Sequence, residues 1–263
     1  MTQTIRIPAV AGTFYPDDPS ELQSQVSEFL ERAAADGAPP KAIIAPHAGY
    51  IYSGPVAASI YARLFACRGT IRRVVLLGPS HRVGFRGIAV SGMDAFETPL
   101  GRVRVDRNIV QEIMDLPEVA TLEDAHAQEH SLEVHLPFLQ VVLGDFGLIP
   151  LVVGDADPEP VGRVLERLWG DAGTLVVISS DLSHYHDYET ATRQDASTSR
   201  AIESLRFEDI EYHDACGRNP IRGLLWVARR KGLKGETIDL RNSGDTAGPR
   251  HQVVGYGAYA FYE

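Results

Sequence analysis

Residues 73–81 read RVVLLGPSH: five residues of strand length, rich in branched apolar side chains, that run into Gly-Pro-Ser and a histidine. A segment that stays apolar instead of alternating buries both faces, the habit of a strand inside a parallel sheet. The same grammar recurs on either side of it. KAIIAPH (41–47) carries a buried strand over 42–45 into Pro46 and His47, and TLVVISSD (174–181) carries one over 174–179 into Asp181, followed by His184. LIPLVV (148–153) reads as a fourth buried strand, and the tail 253–262, alternating around glycines, as a last one.

Helical patterns fill the intervals. They cover 20–34, opening with Ser20 and Gln23 at capping-box spacing, then 54–66, 129–143, 158–169, 190–205 and 219–231. No internal repeat, low-complexity stretch or linker interrupts them. Strands and helices that alternate from end to end predict one three-layer α/β/α domain over residues 1–263, with a largely parallel central sheet.

Composition narrows the partners. The formal net charge is −10, and no Lys/Arg run offsets it, so the chain's field repels a phosphate backbone and nucleic acid is not expected as a partner. No apolar run approaches the roughly 20 residues needed to span a bilayer. The start, MTQTIRIPAVAGTFYPDDP, has no basic patch followed by an apolar stretch. No membrane association and a cytoplasmic location are therefore expected. Cys67 and Cys216 are too few for a disulfide framework; in a reducing compartment each either packs or works as a thiolate. Cys67 reads as packing. Neither a G-x-G-x-x-G nor a G-x-x-x-x-G-K-[ST] nucleotide loop is present, and no G-x-S-x-G elbow marks a serine hydrolase.

Ligands of open α/β sheets bind beyond the carboxyl ends of the strands. If the strands are parallel, His47, His81, Asp181 and His184 converge on one rim, with Pro46 and the Gly-Pro-Ser before His81 stiffening the approach. One histidine after a strand is commonly a surface residue, but three strand ends that each carry one point to a metal site. Imidazole suits iron, copper, zinc and nickel. Cys216, in HDACGRNPIRGLLWVARR, is the leading third ligand: it falls in what reads as the first turn of a helix, where the N-terminus and nearby Arg218 would stabilise a thiolate. Its alternative is a small buried hydrophobe. Asp181 and His184 read either as ligands or as a proton-shuttling histidine oriented by an aspartate; the plain alternative is a helix cap and an exposed imidazole. Glu129 and His130 fit a supporting or pocket-wall role, since neither zincin pattern is met, and His186 reads as surface.

At these residues the sequence resembles the Memo family, whose microbial members are called protein B of the AmmeMemoRadiSam system. The blocks RIPAVAGTFYP (6–16), APHAGYIYSG (45–54), LGPSHR (77–82), EHSLEVHLPF (129–138), SSDLSH (179–184), CGRNPI (216–221) and VVGYGAYAF (253–261) occur in family order over nearly the whole chain. The family is similar in fold to the class III, LigB-type extradiol dioxygenases, which open catechol rings with non-haem iron. The resemblance implies metal ligands at His47, His81 and Cys216, and places Asp181 and His184 beside the metal, with His184 as acid/base. It also implies a pocket lined by Phe14, Tyr50 and Tyr52. A mononuclear iron-dependent oxidoreductase follows as the expected activity, with copper or zinc as the alternative metal. The ring-cleaving enzymes complete their site with a carboxylate where this chain offers a thiol, which weakens the case for ring cleavage. A module that binds a peptide or partner protein, with a structural metal, is the second reading, and a zinc-dependent hydrolase the third. The resemblance also implies a small-molecule or peptide ligand, phosphorylated peptides in animal members, and, through the system's name, radical-SAM and AMMECR1-like partners.

Overall fold

Four parallel strands carry the rest of the molecule. In the computed structural model, which describes residues 3–34 and 36–263, Thr174–Ser179 lies between Ala42–Ala45 and Arg73–Pro79, and Arg73–Pro79 pairs on its far edge with Gly147–Val153. Met1, Thr2 and Ala35, inside the expected 1–263 domain, lie outside the described residues. Nearly every residue of these strands is buried, as their unbroken apolar runs require. Because the strands are parallel, Ala45, Pro79, Val153 and Ser179 all end on the same edge of the sheet, and the chain that leaves each one enters the same space.

The expected parallel sheet is the centre of a wider, mixed one. Val253–Tyr262 adds antiparallel to Ala42–Ala45 and carries Lys234–Asn242 and His184–His186, while Ile88–Val90 adds antiparallel to Gly147–Val153 and is followed by Val119–Thr121, giving nine strands. Ile5–Arg6, Ala95–Thr98 and Gly101–Arg104 form a separate three-stranded sheet. Helices flank the large sheet: Pro19–Arg32, Tyr50–Tyr61 and Leu136–Leu143 pack together, Pro158–Leu168 packs on Arg218–Lys231, and Tyr188–Glu203 packs on Lys234–Asn242 and Val253–Tyr262. Among the described residues, no helix is long and apolar enough to cross a membrane.

Three helix expectations need correction. The first helix begins at Pro19 and not at Ser20, because Asp18 is the cap: its carboxylate accepts from the backbone N–H of Ser20 and Glu21, and proline suits the first position. The pattern over 129–143 is helical only from Glu133, as a short 3₁₀ turn that leads into Leu136–Leu143. Glu129 folds its own carboxylate onto the Ser131 N–H, a local bond that competes with helix. The last helix starts at Arg218 with Gly217 as its cap, so Cys216 stands just before it and not in its first turn.

Candidate metal centre

His47, His81 and Cys216 each offer a donor atom, and these atoms lie within 4.8 Å of one another. Cys216 Sγ is 3.3 Å from His47 Nε2. His47 is delivered by the end of Ala42–Ala45, His81 by the end of Arg73–Pro79, and Cys216 by the loop that packs on the end of Thr174–Ser179. That last approach depends on Gly217. A Cβ there would lie 2.5 Å from Ser180 Cβ and 2.6 Å from the Ser179 carbonyl, so no larger residue lets the loop come so near.

Hydrogen bonds fix which nitrogen each imidazole presents. Ser179 Oγ donates to the Ser131 carbonyl at 2.6 Å, so its 2.6 Å contact with His47 Nδ1 must be one in which the ring donates. Nδ1 of His47 therefore carries the proton and Nε2 keeps its lone pair toward Cys216. Glu129 does the same for His81: its carboxylate accepts from Nδ1 at 2.8 Å and from the His81 backbone N–H at 2.6 Å, leaving Nε2 free. Burial alone would raise the Glu129 carboxyl, but the His81 bonds and the Ser131 N–H hold it at about 2. A ligand histidine whose other nitrogen donates to a carboxylate or hydroxyl has the outer support usual for a metal site. Burial, followed by the neighbouring imidazoles, drives His47 well below the usual histidine range, so its lone pair is available.

The thiol corrects one expectation. Helix position does not make Cys216 a thiolate here, because burial and the nearby Asp181 push it up, and Arg218 spends its guanidinium on the Ile210 carbonyl and the Asn219 side chain. Two imidazoles, each with its Nδ1 tied to an acceptor, and a thiol that ionises only beside a compensating positive charge are a donor set a transition metal ion fits.

Asp181 is buried, and its carboxylate accepts from the His47 backbone N–H at 2.8 Å and approaches His47 Nε2 to 4.0 Å. Burial pushes this carboxyl up. It does not orient His184 by a direct bond, as expected; the Leu182 carbonyl does, accepting from His184 Nδ1 at 2.8 Å and leaving Nε2 toward the cleft. That cleft, about 1190 Å³, is lined by His81, His184 and Cys216 and extends past Tyr185, Tyr212 and Asn219. His186 and His213 also line it, so the surface reading of His186 gives way to a place on the cleft wall.

The remaining predicted residues stand behind the donors. His130 stacks on His81 with ring centroids 4.6 Å apart and meets His47 edge-on at 5.4 Å. Phe14 packs on the other side of His130, at 4.8 Å. Tyr50 is buried and donates to the Val134 carbonyl, and Tyr52 lies half-exposed on the first turn of its helix. None of these three aromatics is part of the cleft lining, so they support the site's framework and do not form its wall.

Sequence reading missed the group that holds this framework. Glu133 is fully buried and takes the Arg6 guanidinium, the N–H groups of Ala9 and Val10 at 2.7 and 3.0 Å, and the Tyr15 hydroxyl at 2.5 Å. Arg6 also donates to the carbonyls of His126 and Glu129. The N-terminal arm is thereby clamped over the segment that carries Glu129 and His130. Helical spacing would set Glu129 and Glu133, four apart, on one face; in the structure they face different partners, since the segment between them is not helical.

Known proteins agree on one family. The Memo-like protein family profile matches residues 6–260. A MEMO1 family protein of Aquifex aeolicus is 39% identical over 96% of this chain and 97% of its own. Those of Saccharolobus solfataricus and Metallosphaera sedula are 36% and 34% identical, each over 97% of this chain and 99% of theirs. A solved structure of an uncharacterised Escherichia coli K12 protein superposes with a TM-score of 0.48 at 15% identity, covering 82% of this chain and 98% of that one. Sequence blocks met in order, a family match over nearly the whole length and relatives of equal extent lead to one statement: the chain belongs to the Memo family.

Proposed function

We propose that the chain holds a single transition metal ion between His47 Nε2, His81 Nε2 and Cys216 Sγ, and acts as a metal-dependent oxidoreductase related to the extradiol dioxygenases. The observation that carries this reading is the convergence of those donors from two strand ends and the loop before Arg218–Lys231, with each imidazole's far nitrogen already occupied by an acceptor. Iron is the metal proposed, with copper or zinc as alternatives, since a thiolate beside two imidazoles is a softer set than the carboxylate-completed site of the ring-cleaving enzymes. When bound, such an ion supplies electron transfer and Lewis acidity at the floor of the cleft.

The chain's own residues do the rest. Ser179 and Glu129 hold the two rings in one tautomer and one direction. Asp181 fixes the backbone at His47 and places a carboxylate beside the donors. His184, with Nδ1 tied to the Leu182 carbonyl, presents Nε2 to the cleft, where it can take a proton from a bound ligand or return one.

A second reading draws on the cleft itself. Its volume of about 1190 Å³ exceeds the roughly 300–1,000 Å³ usual for small-molecule sites, and Tyr185 and Tyr212 stand exposed on its wall, which suits a peptide. Metal analysis of anaerobically purified protein tests the first reading. Wild type is expected to carry about one ion per chain, with Cys216→Ala and His81→Ala depleted, and a thiolate-to-metal absorption band is expected to vanish in Cys216→Ser. Undiminished metal in both variants removes the site. Peptide binding that survives full metal removal, with no turnover under any oxidant, favours the second reading.

A further inference from the structure

The strands that deliver His81 to the cleft begin, at their other end, in a second cavity. Arg73 and Gly147 open two neighbouring parallel strands in register, and a bridge between Val105 and Leu148 lays residues 104–108 beside that opening. The result is a groove of about 400 Å³ walled by Arg72, Arg73, Arg104, Arg107 and Asn108, with Asp106 the one carboxylate in its lining. Four arginines from two stretches of sequence border one groove in a chain whose net charge is −10.

These cations are neutralised only in part, Arg73 by Asp106 and Arg72 weakly by Asp171. Asp106 is already engaged, accepting from Arg73 Nε at 3.2 Å and from the Ile109 N–H at 3.3 Å. Arg72 reaches Asp171 at 3.7 Å with both side chains about 70% exposed, a weak pairing in water. Arg107 donates to the Gly92 carbonyl and feels the Asp94 carboxylate, and neither it nor Arg104 makes an ion pair among the described residues. A concave site with a large excess of one sign of charge, here four arginines against one aspartate, focuses its field on a ligand of the other sign.

We infer that this groove binds a diphosphate group, carried by free pyrophosphate or by a nucleoside diphosphate. Guanidinium forks match phosphate oxygens two at a time, and arginines arriving from two chain segments, with Arg104 and Arg107 in no ion pair among the described residues, suit linked phosphates better than a single one. The volume is that of a small-ligand site. The seven-residue strand Arg73–Pro79 spans about 20 Å at 3.3 Å per residue, so the groove and the metal rim are separate sites.

Calorimetric titration with sodium pyrophosphate, and separately with ADP, tests the inference in metal-free buffer at fixed ionic strength. Wild type and His81→Ala are expected to bind pyrophosphate one to one with equal affinity. The double variant Arg104→Gln/Arg107→Gln, whose side chains are exposed and outside the core, is expected to bind about tenfold more weakly or worse. Tighter binding of ADP assigns a nucleoside diphosphate and equal binding assigns the bare diphosphate. No saturable binding of either probe to folded wild type, affinity undiminished in the double variant, or affinity lost in His81→Ala overturns the inference.

Discussion

Glu129→Gln is the perturbation that probes the candidate centre without touching a ligand. The Glu129 side chain is 1% exposed and accepts three N–H donors: His81 Nδ1 at 2.8 Å, the His81 backbone at 2.6 Å and the Ser131 backbone at 2.9 Å. Glutamine keeps the shape but loses the charge, and its amide nitrogen turns toward a donor. Hydrogen bonds to a charged group contribute about 1.5–3 kcal/mol and neutral ones about 0.5–1.5, so each of the two bonds to His81 weakens by about 1 kcal/mol. The sum, about 2 kcal/mol, corresponds to a loss of metal affinity of about 30-fold, within the tenfold to hundredfold range seen when a ligand's supporting partner is removed. Competition against a chromophoric chelator, under anaerobic conditions, reads that ratio directly. Thermal unfolding run in parallel establishes that the variant is folded. A folded Glu129→Gln protein with wild-type affinity would refute the claim that this carboxylate aims and polarises His81.

Other perturbations have equally definite outcomes. Gly217→Ala forces the Cys216 loop off the Ser179–Ser180 backbone, at a cost of about 1–3 kcal/mol, and should deplete bound metal while its circular dichroism stays native. Glu133→Ala leaves the buried Arg6 unpaired; a loss of about 3–5 kcal/mol, seen as a melting temperature lower by about 10 °C, is expected, with partial recovery in Glu133→Gln. Asp195 is buried behind the His184 turn, where burial raises its carboxyl to about 6 against the Ser183 N–H that lowers it. A carboxyl raised on folding binds its proton more tightly in the native state. It therefore adds stability below its unfolded value near 4, and that contribution fades as pH rises through about 6. Asp195→Asn should flatten the fall between pH 4 and 7 and gain about 2–3 kcal/mol at neutral pH; a stability profile parallel to wild type would contradict this.

The sheet was readable because its central strands carry their burial on both faces. AIIA, TLVVIS and VVGYGAYAF lie where their apolar runs place them, and Arg73–Pro79 and Gly147–Val153 extend the predicted stretches by only a residue or two. Parallel pairing then brings His47 and His81 together, since the ends of parallel strands share an edge. What could not be read depends on contacts between remote segments. The carboxylate of Glu129 belongs to His81, 48 positions away, and its further bond to the Ser131 N–H competes with the helix that the local spacing suggests. Glu133 answers Arg6 across 127 positions, and Ser179 fixes the His47 tautomer from a neighbouring strand. No local period encodes such pairings. The short strands Ile88–Val90 and Val119–Thr121 at this end of the sheet escaped notice for another reason: three residues are too few to show a pattern.

X-ray absorption at the metal edge of the loaded protein addresses the account most directly. The reading of His47, His81 and Cys216 predicts two imidazole nitrogens and one sulfur in the first coordination shell, the sulfur at about 2.3 Å if zinc is loaded, and its disappearance in Cys216→Ser. A shell of nitrogen and oxygen alone in the wild-type protein would contradict it.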